Sequence, residues 1–210
     1  MKQNSIMDIV KHINFLLDKN PAFNENVEKL FLIFDESNNA YLVTFGISGR
    51  FLSTQGLKVY EVSKKTRELN ARKYIGYLKF GFNKATNNVY LELINVTKKR
   101  NSNKGIGTEM LAVLQMLGHN MGAKTYTGSF GNFSYLDKKP QSLMNFYLKN
   151  NFIFPEEYSG SSFEKSISTK ELDDFKRQTI TYPLSNMNIT VLMPESKIKF
   201  SGYNDELEKE

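Results

Sequence analysis

One stretch, residues 95–122, restricts the fold more than any other. Just before it, residues 89–96 are rich in β-branched and large apolar side chains and predict a buried strand. Within it, Met110, Val113, Leu114, Leu117 and Met121 recur at helical spacing, and Gly122 suits a left-handed helix end. Strand and helix are joined by a polar loop that carries Lys98, Lys99, Arg100 and Lys104 and closes on Gly105-Ile106-Gly107-Thr108.

Glycine lets a backbone turn tightly and approach a ligand without a Cβ clash. The first turn of a helix has N–H groups with no intrahelical partner, and the helix dipole adds positive potential there. Such a junction can hold a phosphate or pyrophosphate. It can equally be a plain strand-to-helix turn with solvated lysines, and on the junction alone both readings stand. Two familiar phosphate loops are excluded. A dinucleotide fingerprint needs a third glycine where Met110 stands, and a Walker loop needs Gly-Lys-Ser/Thr, whereas Lys104 precedes its glycine.

The run Ser102-Asn103-Lys104-Gly105-Ile106-Gly107, followed by Thr108-Glu109-Met110-Leu111, resembles the acyl-CoA loop of the GCN5-related N-acetyltransferases, Arg/Gln-x-x-Gly-x-Gly/Ala. Downstream, residues 124–130 predict a short strand. A helix then ends in Phe146-Tyr147-Leu148-Lys149-Asn150-Asn151-Phe152, similar to that family's Phe-Tyr-x-Lys-x-Gly-Phe element. The resemblance spans roughly residues 74–152, in the order strand, strand, glycine loop, helix, strand, helix. Ser102 replaces the usual Arg or Gln, Pro140 stands where many members carry Asn, and Asn151 replaces Gly, although Asn also tolerates a left-handed backbone. The loop is one residue longer than usual.

Composition agrees. The 210 residues, 40% hydrophobic and 13% aromatic, are enough for one compact core. Without cysteine there are no disulfides, thiolate metal sites or cysteine nucleophiles, which fits a reducing cytoplasm. His12 and His119 are the only histidines, and no metal site is expected. No signal peptide and no membrane-spanning run are expected either. A net charge of +6 and a pI near 9.2 admit an anionic partner, for which CoA would suffice; nucleic acid is allowed but not favoured.

Along the chain, Ser5-Ile6-Met7-Asp8 reads as a capping box opening a helix whose apolar face is Ile6, Ile9, Val10, Ile13, Leu16 and Leu17. Asn20-Pro21 closes that helix, and His12 falls on its polar flank. Residues 30–34 and 40–45 predict a hairpin, 46–56 a loop that could act as a substrate lid, and 57–62 the start of the main sheet. Residues 74–82 and 89–96 are the strongest strands. Residues 132–135, with Asn132, Phe133 and Tyr135, could line an acceptor pocket. A short helix over 169–178 and closing strands over 179–182 and 189–193 complete the reading, with 203–210 a charged tail.

Chemistry enters through the resemblance. It implies that the pantetheine arm lies along the strand end Ile94, Asn95 and Val96, and that Asn103, Lys104, Gly105, Ile106, Gly107 and Thr108 hold the phosphates. It also implies that Tyr147 protonates the departing thiolate, which a phenol is suited to do. As a core alternative, Tyr147 shares a helical face with Leu143 and Phe146. Glu92 is the only carboxylate within residues 89–96, on the face that spacing gives to Tyr90, Ile94 and Val96. Partly buried, it could serve as general base; its alternative is an ion pair with Lys79.

The expected protein is therefore a single α/β (α+β) domain over 1–210. Its central sheet is mixed and mostly antiparallel, flanked by helices, with a divergent N-terminal helix and hairpin (1–56), a core (57–152) and C-terminal strands (153–202). The resemblance implies acetyl transfer from acetyl-CoA to a primary amine by direct attack in a ternary complex. The acceptor, a small molecule or a protein amine, is open, and a homodimer is compatible. The alternatives are a non-catalytic binding module of the same fold and a toxin-like enzyme acting on aminoacyl-tRNA.

Overall fold

The computed structural model describes residues 3–24, 27–35, 37–48, 54–97, 104–129, 140–154, 162–166 and 179–193. Helix α1 (Gln3–Lys19) ends before Asn20, and a short α2 (Pro21–Asn24) follows. The hairpin β1 (Lys29–Phe34) and β2 (Ala40–Ser48) leads to β3 (Thr54–Val62), β4 (Gly76–Asn83) and β5 (Asn88–Val96). Then come α3 (Ile106–Asn120), β6 (Thr125–Ser129), α4 (Pro140–Lys149), β7 (Ser162–Ser166), β8 (Thr179–Pro183) and β9 (Asn188–Leu192).

Among the described residues the strands form one sheet of nine, in the order β7-β6-β5-β4-β3-β2-β1-β9-β8. It is mixed and mostly antiparallel: β1 with β9 and β5 with β6 are its parallel pairs. Alternation along β1 shows how it is covered. Leu30, Leu32 and Phe34 point to the side where α1 packs with Ile6, Val10, Ile13, Leu16 and Leu17. Phe31 and Ile33 point to the opposite side, against a core that includes α3 and α4.

Three expectations change here. Helix α1 opens at Gln3, so Ser5 lies inside it rather than capping it; Asp8 instead pairs with Lys64 at 3.5 Å across exposed surface. The 46–56 stretch is mostly ladder: Gly46 pairs with Gly56, Ile47 with Gln55 and Ser48 with Thr54. Glycine and serine are poor strand formers, and the β2–β3 ladder, which Gln55 and Gly56 extend to β4, overrides that preference. Only 49–53 of that expected lid lie outside the described residues. The sheet also does not begin at residue 57, because β1 and β2 continue it and lie well inside it. The expected helix at 169–178 lies outside the described residues.

The β1–β2 turn is held by a buried carboxylate. Asp35, 2% exposed, accepts hydrogen bonds from the Ser37 and Asn39 amides, the Asn39 side chain and the Tyr41 hydroxyl, all at 2.8–2.9 Å. Burial alone would raise its pKa; the hydrogen bonds from Asn39, Tyr41 and the amides outweigh it and hold the carboxyl below the usual range.

Helix α3 ends as Gly122 predicts. Gly122 has φ +86, with its N–H bonded to the His119 carbonyl and the Ala123 N–H to that of Gly118. Asn151, φ +63, ends α4 in the same left-handed conformation.

Candidate functional site

The glycine junction is built as a turn into α3. Gly105 is the residue before the helix, with φ 77, and no side chain caps the helix by a hydrogen bond. The N–H groups of Ile106, Gly107 and Thr108 open the helix, which Glu109 joins by bonding to the Gly105 carbonyl at 3.0 Å. Lys104 stands half-buried at its mouth. Asn103 and the basic residues Lys98, Lys99 and Arg100 lie outside the described residues.

The two glycines have different reasons. Gly105 needs a left-handed backbone, which costs a residue with a Cβ about 1 kcal/mol or more. Gly107 is right-handed, but a Cβ there would sit 3.0 Å from the Phe146 ring on α4. Close helix packing is thus one cause of Gly107, and sequence spacing gave no sign of it.

Strand β5 supplies the second feature. Its parallel ladder with β6 runs from Asn88↔Thr125 to Leu91↔Gly128 and then stops. From Glu92 to Val96 the β6-facing edge has no strand partner among the described residues. Ile94, Asn95 and Val96 lie in this unpaired stretch.

A bulge sits where the ladder ends. Lys79 pairs with Leu93 and Phe80 with Leu91, leaving Glu92 as the extra residue. This corrects the alternation read from sequence. Glu92 does not share a face with Ile94 and Val96, which turn inward and pack against the α3-side core, while Glu92 and Leu93 are both exposed. The burial on which the base reading rested is therefore lacking. Nor does Glu92 pair with Lys79; the one ion pair among the described residues joins Lys64 to Asp8.

Tyr147 is 5% exposed, in the same core cluster as Ile94 and Val96. Its ring meets those of Phe146 and Phe152 edge-on at 5.1 and 5.3 Å. Burial pushes its phenol well above the ordinary value. Phe146, its neighbour, lies on Gly107, so α4 brings Tyr147 beside the start of α3. Asn132, Phe133 and Tyr135 lie outside the described residues.

Neither histidine is at this end of the molecule. His12 bonds through Nε2 to the Thr66 carbonyl at 2.9 Å. His119 is near the far end of α3, roughly 20 Å from Ile106 by helical rise, lining a cavity of about 480 Å³ with Met116 and threonines of β8 and β9. Among the described residues no cluster of metal-ligating side chains occurs, and no helix is long and apolar enough to cross a membrane.

No family model and no curated protein matches the chain. Similar solved structures include three described as acetyltransferases or as GCN5. One is the PaiA N-acetyltransferase of Thermoplasma acidophilum in complex with coenzyme A, with 16% identity, TM-score 0.41 and 53% of this chain covered. This chain covers 60% of that structure. Tetrahymena GCN5 has 16% identity and TM-score 0.40, with 55% and 69% of the two chains covered. A GNAT-family acetyltransferase of Staphylococcus aureus has 14% identity and TM-score 0.41, with 55% and 68% covered. Identity at this level says nothing of substrate.

Proposed function

We propose that the protein is an acetyl-CoA-dependent N-acetyltransferase acting on a primary amine. The observation that carries this reading is that, among the described residues, β5 has no strand partner on its β6 side past Leu91 and no side chain caps the start of α3 at Gly105. An extended arm with amide groups suits the first, and a pyrophosphate suits the second.

Acetyl-CoA, when bound, supplies the activated acetyl group. Ile94, Asn95 and Val96 offer main-chain groups to its arm, and one N–H there can polarise the thioester carbonyl. Ile106, Gly107 and Thr108 present N–H groups to its phosphates, with charge from Lys104. The amine nitrogen bonds to the acetyl carbon as the carbon–sulfur bond breaks, and the sulfur takes the bonding pair. The amine proton passes to solvent water, since Glu92 is exposed and lacks the burial that would make it the base. Tyr147 stays protonated because burial disfavours its phenolate, so it donates a hydrogen bond to the leaving sulfur.

Thr108→Asp tests the cofactor site without disturbing the fold. A carboxylate in the first helical turn favours the helix dipole but repels a pyrophosphate. Calorimetric titration should show micromolar acetyl-CoA binding by wild type, roughly 30-fold or more weaker in the variant, with an unchanged or higher Tm. Equal binding by both proteins, or none by a folded wild type, rules the site out.

For the chemistry, Tyr147→Phe should lower kcat by about 10- to 100-fold while leaving the KM for acetyl-CoA nearly unchanged. An unaltered kcat would leave Tyr147 as packing alone.

A further inference from the structure

The sheet face opposite α3 carries a cavity of about 310 Å³, in the range of small-molecule sites. Strands β2, β3 and β4 floor it, and α2 and the segment leading into β4 wall it. Gly46 and Gly56 face each other across β2 and β3 and leave the floor without side chains at that point.

Rings make up much of the rest. Phe23 and Tyr60 meet edge-on at 5.0 Å, as do Tyr74 and Tyr77 at 5.6 Å. Two exposed cations, Lys58 and Lys79, are among the lining residues, and none of the described residues that line the cavity is Asp or Glu. The Lys58 ammonium lies 5.7 Å from the Tyr74 ring centroid. Among the described residues neither lysine is in an ion pair.

The strands that floor the cavity continue into β5. A cross-strand row runs Thr44, Lys58, Tyr77, Asn95, and a parallel one Gly46, Gly56, Lys79, Leu93. With strands about 4.8 Å apart, Lys58 and Asn95 are roughly 10 Å apart along the sheet, about the length of a ring with a short side chain.

We propose that this cavity is the acceptor site and takes a small aromatic amine that also carries an anionic group, its ring on the tyrosines and its anion between Lys58 and Lys79. An anion offsets two neighbouring ammonium groups that have no ion-pair partner among the described residues, and aromatic walls suit a planar body. The same cations disfavour the ammonium form of a bound amine and so favour the neutral nucleophile. That the ligand is then acetylated rests on the proposed acetyl transfer; that it binds does not.

Two readouts separate these. Phenylpropionate, which has the ring and the anion but no amine, is titrated into the full chain without acetyl-CoA and followed by amide chemical shifts. Shifts should appear at Lys58, Tyr74 and Tyr77, and affinity should fall at least tenfold in a Lys58→Ala/Lys79→Ala double variant of unchanged Tm. No shifts there, or equal binding by the variant, overturns the proposal.

In turnover with acetyl-CoA, 4-(aminomethyl)benzoate, whose ring separates the amine from the carboxylate, should exceed benzylamine at least tenfold in kcat/KM, and the double variant should lose that preference. Equal or reversed preference in wild type overturns the assignment of the anion. If phenylpropionate binds as expected while no amine is acetylated, the cavity assignment stands and the acetyl-transfer reading falls.

Discussion

Gly118→Ala should lower stability by roughly 3 kcal/mol, although alanine is the better helix former. Gly118 is buried on α3, and the Tyr126 ring of β6 lies directly over it. A Cβ there would fall on the Tyr126 hydroxyl and within 2.9 Å of its Cζ. Tyr126 is fully buried and donates to the Gln115 carbonyl at 3.0 Å, so it has no room to withdraw and loses that bond if it moves. The helix gains about 1 kcal/mol in propensity, against overpacking of about 3 kcal/mol and a broken buried hydrogen bond of about 1 kcal/mol. Guanidinium unfolding gives the difference, and Tyr126→Phe in the same background should restore part of it. A variant within about 1 kcal/mol of wild type would mean that α3 and β6 can separate freely.

Raising the pH should unfold the protein steeply above about pH 10. Burial pushes the phenols of Tyr126 and Tyr147 well above their ordinary value and that of Tyr60 up to about 12. Tyr41 is raised as well, by burial and then by its bond to Asp35. In the unfolded chain these phenols lose their protons near pH 10. Their contribution is complete below that value and is lost as pH rises toward the folded values. Each costs about 1.4 kcal/mol per pH unit across that window, so two of them remove roughly 3 kcal/mol per unit from a total of about 5–15 kcal/mol. Phenolate absorbance and circular dichroism should change together. Phenolate appearing while the fold persists would show that the rings reach solvent in the folded state.

Much of this architecture was legible from local patterns. Helical spacing from Met110 to Met121 and the left-handed Gly122 fix α3, and the β4–β5 hairpin and both closing strands follow from apolar runs between turn residues. What sequence could not show depends on partners distant in the chain. The bulge at Glu92 is set by how β5 pairs with β4, and it reverses the facing of Ile94 and Val96. Gly107 and Gly118 are each explained by an aromatic ring that arrives later, Phe146 and Tyr126. Gly46 and Gly56 have loop composition yet pair as strand because they continue the β2–β3 ladder, and Gly56 also pairs with Lys79 of β4. For the candidate site, the glycine turn and the Tyr147 helix were readable, whereas the unpaired edge beside them is a property of the β5–β6 register alone.

The parallel pairing of β1 with β9 bears on how the molecule is made. On a ribosome, Leu30, Phe31 and Leu32 emerge early and can zip to β2 at once, but their other edge waits for Ile189, Thr190 and Val191. Until then a strand of large apolar residues presents an open edge, the kind that captures other chains. Release of a chain stopped short of β9 should therefore yield aggregates rather than a smaller soluble fold, and holding factors acting on nascent chains would find their principal customer in that exposed edge.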